Sequence, residues 1–337
     1  MANSFHLDEK FTILLLLRDR HKFTERFLDF YLKLDERPKL YIADGSLEKY
    51  NISAELILEK KLAYRYFGPD ITIKDFSSKT FNALQEINTP YIMMFSNDDF
   101  LIPENIYKSI EFLECNNDFV LSTGKYIDFK LSSEDVINGS IEYMKDFRTF
   151  NVIDSNSVLD RLITLYKNGV PSYWHSIIRR ESLVKAWENA LIMEVNRYDI
   201  LELFINTFLC LEGKFNTISD GYQMFHQVHN DMMARLLPSF EENITDYEFV
   251  YELTKFRQYL MRQMRLEAYF VESLILNLIN YEINSIRAKI ERNQRKKSLN
   301  KFKDYFLNKL RYFNRGKIFL KNKEIGPYEE KLSRYLN

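Results

Sequence analysis

The chain has 337 residues, with 47 Lys and Arg against 48 Asp and Glu, 46% hydrophobic and 28% charged residues. These values exclude a disordered tail, a collagen-like repeat and a small disulfide-stapled domain, and the length suffices for one large domain or two ordinary ones. Two cysteines, Cys115 and Cys210, are too few for a disulfide framework or a four-cysteine zinc site and suit a reducing compartment.

Phe11 to Leu17 is short, follows Asp8 and Glu9 rather than a basic stretch, and has no small-residue cleavage site behind it, so it does not read as an export signal. No run approaches the roughly eighteen apolar residues of a membrane-spanning helix. The expectation is a soluble cytoplasmic protein, or one held peripherally on the inner face of the cell membrane.

In chain order, Phe11 to Leu17 predicts a strand buried on both faces, followed by a helix from about Lys22 to Leu34 with Phe23, Phe27, Phe30 and Leu34 on one side. Lys39 to Ala43 is a second strand ending in Asp44-Gly45-Ser46, and Leu47 to Glu59 reads as helical. Leu62 to Phe67 is a third strand, Ser77 to Ile87 a helix, and Tyr91 to Phe95 a fourth strand running into Ser96-Asn97-Asp98-Asp99. Pro103 suits a first helical turn, with a helix through Leu113. Alternating strands and helices imply a doubly wound, mostly parallel α/β sheet with helices on both faces.

From about Lys125 to Pro238 the pattern is mixed: strands at Tyr173 to Ile178 and Tyr222 to Val228, helices at Ser155 to Lys167, Glu181 to Ala190 and Asp199 to Leu211. Ser239 to Arg315 contains neither glycine nor proline, and Leu253, Phe256, Leu260, Met264, Val271, Leu274 and Leu278 follow the spacing of one face of a long helix. The organisation expected is a domain over 1–238, with halves 11–125 and 126–238, and a helical basic extension over 239–337.

Ligands of doubly wound sheets bind beyond the carboxyl ends of the strands. Three polar clusters fall at such ends: Arg18-Asp19-Arg20, Asp44-Gly45-Ser46 and Ser96-Asn97-Asp98-Asp99. Adjacent carboxylates at Asp98 and Asp99 are hard oxygen ligands suited to a divalent cation, Mn²⁺ or Mg²⁺, that shares a diphosphate and neutralises a leaving group. The alternative is a turn with Asp99 near a helix N-terminus.

This order of strand ends, with Tyr-Ile-Met-Met-Phe-Ser-Asn-Asp-Asp-Phe-Leu-Ile-Pro after the fourth strand, resembles the nucleotide-sugar-binding half of family-2-like glycosyltransferases with the A-type (GT-A) fold, over residues 11–125. The resemblance implies a nucleotide-base contact for Asp44, a metal-binding role for Asp98 with Asp99 nearby, and nucleotide-sugar contacts for Arg18, Arg20, Lys79, Asn82 and Asn97. Ser96 stands where the family has the first aspartate of its DxD motif if Pro103 fixes the register, which puts the completeness of the metal site in question.

Further along, Arg197-Tyr198-Asp199-Ile200-Leu201-Glu202 resembles the family's acidic helix start. It implies Asp199 as the general base that takes the acceptor hydroxyl proton in an inverting transfer, with Glu202 one turn later as the fallback. The alternative is a capping Asp199 and a solvated Glu202. Phe225-His226-Gln227-Val228-His229 resembles the segment that gives a histidine to metal or diphosphate; strand alternation lets one histidine face the site, and His229 is favoured over His226. Tyr173 and Trp174 fall on the family's acceptor side, as sugar-stacking rings or as a buried aromatic pair.

Residues 286–323 carry 14 Lys and Arg against Glu291 and Asp304, a net +12. Phe302, Tyr305, Phe306, Leu310 and Phe313 follow helical spacing among Lys301, Lys303, Lys309 and Arg311, which suits an anionic membrane surface bearing a lipid-linked glycan acceptor. Packing of that stripe on the domain or on a second copy of the chain is the other reading. No zinc motif, glycine-rich RNA loop or recognition-helix pattern points to nucleic acid.

The function expected is sugar transfer from a nucleotide-sugar donor to an acceptor hydroxyl, in cell-surface glycan biosynthesis. A nucleotidyltransferase on a similar sheet, and a non-catalytic envelope-assembly subunit with a degenerate site, stay open.

Overall fold

The computed structural model describes residues 7–57, 61–132, 137, 139–148, 150–166, 173–228, 247–262, 265, 267–273, 275–276 and 326–336. After a short helix α1 (Leu7–Lys10), the chain enters β1 (Phe11–Leu17), whose continuous apolar sequence is explained by parallel neighbours on both edges: β2 (Lys39–Asp44) and β4 (Tyr91–Phe95). β3 (Leu62–Tyr66) extends the parallel set beyond β2. The chain therefore walks outward from β1 through β2 to β3, then returns to the opposite side of β1 with β4, so strand order reverses between β1 and β4.

Long helices follow β1, β3 and, beyond a short extended segment, β4. α2 (His21–Leu32) buries Phe23, Phe27 and Phe30. α4 (Ile73–Glu86) begins four residues before the expected Ser77, because Thr72 and Asp75 form a reciprocal capping box. α5 (Pro103–Cys115) starts with Pro103 in its first turn. The helix expected over Leu47 to Glu59 starts only at Ala54, with α3 (Ala54–Ile57) in the described residues, since the Ser46 and Tyr50 amides are drawn into bonds with the Asp44 carboxylate and the loop between them follows that anchor.

The second half of the sheet departs most from the sequence reading. β5 (Phe100–Leu101), β6 (Phe119–Leu131) and β7 (Ile141–Arg148) come before α6 (Val158–Tyr166), β8 (Ile177–Arg179), α7 (Arg180–Ile192), α8 (Tyr198–Glu212) and β9 (Lys214–Gln227). β8 lies antiparallel between β4 and β6, β6 runs parallel to β9, and β5 and β7 join antiparallel. The result is one nine-stranded sheet in the order β3-β2-β1-β4-β8-β6-β9-β5, with β7 paired to β6.

Beyond Pro238, α9 (Tyr247–Arg262) packs on α8 through Phe256 and Phe204, whose ring centroids are 4.3 Å apart. The single long helix expected through Leu278 is interrupted: α9 ends at Arg262 and Arg265 adopts a left-handed φ of 52°. α10 (Gly326–Leu336) returns to the sheet domain, with Tyr328 on Tyr222 at 4.9 Å, Lys331 paired to Glu104 at 2.5 Å and Leu332 buried. The basic stretch over 286–323 lies outside the described residues. Among the described residues no helix is long and apolar enough to cross a membrane.

The core is aromatic, and Trp187 of α7 sits fully buried against Phe76 and Trp174. Trp187→Ala is expected to cost about 3–5 kcal/mol through lost burial and an unfilled cavity, read as a lower urea midpoint at unchanged slope.

Candidate functional site

Where strand order reverses, the loops after β1 and β4 meet at the carboxyl ends of the strands, the place where sheets of this kind bind their ligands. Asp19 and Arg20 leave β1 in consecutive left-handed conformations, with φ of 56° and 61°. Left-handed backbone costs about 1–2 kcal/mol per non-glycine residue, so the turn needs compensating bonds. The Asp19 amide donates to Ser46 Oγ at 2.7 Å, and Asp19 Oδ1 accepts from the Leu47 amide at 3.0 Å. The Arg20 carbonyl accepts from the amides of Phe23 and Thr24 and from Asn97 Nδ2. The conformation aims the Arg20 guanidinium at the loop after β4, where it lies 4.2 Å above the Phe23 ring and donates to Asp98 Oδ2 at 2.7 Å. A cleft of about 520 Å³ opens beside it, lined by Asp19, Arg20, Lys22, Leu47, Glu48 and Ile137 among others.

Asp44 ends β2 with its carboxylate fully buried: Oδ1 accepts from the Ser46 amide, and Oδ2 from the Tyr50 amide and the Tyr64 hydroxyl. Burial pushes this carboxyl up, but the bonds from Ser46, Tyr64 and Tyr50 prevail and hold it below the ordinary aspartate range. The residue expected to contact a nucleotide base is thus held by donors of its own chain. The side chain shapes the loop that carries Ser46, Leu47 and Glu48, because its oxygens face inward to donors of its own chain.

Lys79 is likewise held by its own chain. Its ammonium is buried, donating to the Leu17 carbonyl at 3.0 Å and pairing with Asp70 at 2.5 Å. Burial lowers the Lys79 pKa and raises that of Asp70, each opposed by the attraction of the partner. Gly45 makes this pair possible, since a Cβ there would stand 2.2 Å from the Asp70 carboxylate. Arg18 is exposed and close enough to Asp70 and Lys79 to act on both electrostatically. Asn82 is exposed on α4 and is not drawn into these strand-end bonds, while Asn97 is buried and bonds the Arg20 carbonyl and Thr24.

Asp98 and Asp99 diverge. Asp98 meets Arg20, whereas the buried Asp99 turns toward β9: its Oδ1 accepts from the Gln227 amide at 2.9 Å and lies 3.2 Å from His226 Nδ1, and its Oδ2 is 3.9 Å from His175 Nε2. Half-buried His175 donates from Nδ1 to the Met94 carbonyl at 3.0 Å, and desolvation lowers its pKa despite Asp99. Among the described residues no three His, Cys, Asp or Glu side chains gather as metal ligands. One carboxylate already compensated by a guanidinium, and one facing the interior, do not fit the hard-oxygen cation site expected from Asp98 and Asp99. His229 lies outside the described residues, and His226 is the histidine found beside Asp99.

Tyr173 and Trp174 do not form an acceptor platform. Both are buried, Tyr173 against Phe150 and Phe215, and Trp174 against Phe76, Trp187 and Tyr198. Trp174 and Phe76 instead hold Tyr198, the first residue of α8, and Phe76 also lies 5.2 Å beneath the Lys79 ammonium. Asp199 occupies the second position of α8, with its side chain outside the described atoms, and Glu202 is half-buried one turn on.

Arg26 is a site residue that the sequence reading missed. Its buried guanidinium donates to the carbonyls of Asp98 and Ile137 and to Gln227 Oε1, and lies 5.1 and 4.9 Å from the Phe23 and Phe100 ring centroids. An arginine set among Phe23, Phe27 and Phe30 was the available signal, because a buried charge needs dedicated acceptors.

No family model matches the sequence, and no curated protein does. Among solved structures, the crystal structure of Staphylococcus aureus TarS residues 1–349 is similar at a TM-score of 0.51 and 12% identity, over 82% of this chain and 72% of that one. The same TarS segment in complex with UDP-GlcNAc gives 0.46 and 13% identity, over 82% and 73%. The first likeness shows a shared α/β fold with a mostly parallel sheet.

The Asp44 anchor gives a pH signature. Its folded pKa lies below the unfolded value, so its stabilisation is complete above pH about 4 and disappears as pH falls through the folded value. Asp44→Asn is expected to lower neutral-pH stability by about 1–3 kcal/mol and to flatten the acid limb of a stability-against-pH curve.

Proposed function

We propose that this chain is a glycosyltransferase that moves a sugar from a nucleotide-sugar donor to an acceptor hydroxyl with inversion. The observation that carries the reading is the pairing of Arg20 with Asp98 across the strand-order reversal, beside the 520 Å³ cleft. Sheets of this kind bind their ligands at that point, and a guanidinium there suits the diphosphate of a donor. TarS, which shares the fold, is itself a glycosyltransferase; its complexes describe TarS, and in this chain the reading rests on the strand-end loops.

In the proposed reaction, the acceptor oxygen attacks the anomeric carbon while the Asp199 carboxylate takes its proton. The bond from that carbon to the diphosphate oxygen breaks, and the nucleoside diphosphate leaves with the electron pair. Arg20 and the exposed Arg18 contribute positive charge on the side from which the diphosphate departs. The anchoring of Tyr198 by Phe76 and Trp174 supports a role for Asp199, because it fixes the start of α8 against the helix that carries Lys79. Glu202 is the second carboxylate of that helix.

A screen of nucleotide sugars, with and without Mn²⁺, is expected to show release of a nucleoside diphosphate, and Asp199→Asn to lower kcat by about 10²–10⁴-fold. Pyrophosphate as the product would instead identify a nucleotidyltransferase. Silence across the panel, with no nucleotide-sugar binding by calorimetry, would favour a non-catalytic scaffold.

We further propose that residues 286–323 hold the enzyme on an anionic membrane carrying a lipid-linked acceptor for cell-surface glycan synthesis. Because α10 packs on the sheet domain, charge reversal in the full chain is a cleaner test than truncation. Lys301→Glu, Lys303→Glu, Lys309→Glu and Arg311→Glu together are expected to abolish salt-sensitive sedimentation with phosphatidylglycerol vesicles. Unchanged sedimentation rejects the membrane role.

A further inference from the structure

A diphosphate leaving group needs positive charge close to its oxygens, and the sequence suggested a divalent cation on Asp98 and Asp99. We infer that in this chain Arg20 takes that place, so that nucleoside diphosphate binding is independent of divalent metal. The inference rests on the glycosyltransferase reading for its ligand, and on this chain's own side chains for its charge.

Three observations carry it. A divalent cation of this type collects several hard oxygens at short range, and here the two neighbouring carboxylates face apart. Asp98 points to Arg20, just ahead of α2, and Asp99 to the Gln227 amide and His226 of β9 and to His175 ahead of β8. Ser96, two residues before Asp98, contributes a neutral hydroxyl and no carboxylate. Among the described residues the cation seat is thus reduced to Asp98, and a guanidinium occupies its Oδ2 at 2.7 Å.

Arg20 is also built to be there. Its backbone is locked in the left-handed region by three bonds to its carbonyl and two to the preceding Asp19. The guanidinium rests on Phe23, and its side chain keeps 27% exposure on a residue that lines the cleft. A planar fork with five donors can hold Asp98 with one edge and offer the other to a phosphate oxygen. A mobile side chain would lose that direction; one fixed at both backbone and ring keeps it.

The test uses the full-length protein and needs no known substrate. Mn²⁺ titration followed by electron paramagnetic resonance should show no bound ion at millimolar metal for the free protein. Calorimetry with UDP, GDP and dTDP should give, for the nucleotide that binds, affinities within about twofold in EDTA and in Mn²⁺, and Arg20→Gln should weaken binding in EDTA by about tenfold or more. Arg20→Lys, which keeps the charge and loses the fork, should fall between the two.

Mn²⁺ retained by the free protein and lost in Asp98→Asn overturns the inference, as does nucleotide binding that appears only with metal; both leave the glycosyltransferase reading standing. No binding of any nucleoside diphosphate in either buffer overturns that reading and the ligand assigned to Arg20 with it. Wild-type affinity in Arg20→Gln overturns the role of Arg20 alone.

Discussion

The left-handed turn at Asp19 and Arg20 is the constraint on which the site depends. Parallel strands deliver their carboxyl ends to one edge of the sheet, but they do not decide how the loops there meet. That is decided by the Asp19 amide on Ser46, the Leu47 amide on Asp19 and Asn97 on the Arg20 carbonyl, which tie the loops after β1, β2 and β4 into one unit. Each bond contributes on the order of 1 kcal/mol net, so their sum is comparable to the backbone strain they offset. The strained residue is the one that crosses to Asp98, in keeping with strain being kept where over-determined geometry has a use.

Around that turn, most polar groups serve the scaffold. Asp44, Lys79, Asp70, Asp99 and Arg26 are buried and spend their charges on backbone amides, carbonyls and each other. Removing one partner from such a buried set is costly, because the remaining charge has no water to fall back on. The same shell makes the exposed groups precise in position: Arg20, Arg18 and the cleft residues are presented by loops whose undersides are fixed. Trp174 belongs to this shell as well, joining α4, α7 and the start of α8 through Phe76, Trp187 and Tyr198.

A chain with no matching family model can still share a fold with TarS at 12% identity, and the arrangement of the sheet explains how. The parallel β3-β2-β1-β4 block requires only continuous apolar strands and apolar helix faces, which many sequences supply. The loops at the strand ends carry the individual chemistry, and here they carry an Arg20–Asp98 pair and an inward-facing Asp99. Fold and chemistry therefore separate, and arguments about the reaction belong to the loop residues.

The sequence by itself determined the parallel block and the location of the site. Phe11 to Leu17, apart from Thr12, and Tyr91 to Phe95 are runs of apolar and aromatic residues, which suit strands covered on both faces, and the polar clusters directly after them fall at the sheet edge. It also determined where α5 and α8 begin, since Pro103 and the Tyr198-Asp199 start are local signals. The pairing of β6 with β7, β8 and β9 had no comparable signal, because strand pairing joins residues far apart in the chain. The destination of each charged side chain was likewise decided in three dimensions. Asp44, Asp98 and Asp99 are one residue type with one sequence signature, and a carboxylate's role follows from which donors surround it: amides and Tyr64 for Asp44, a guanidinium for Asp98, and an amide with two histidines for Asp99. Those donors come from distant elements, so only the folded chain brings them together.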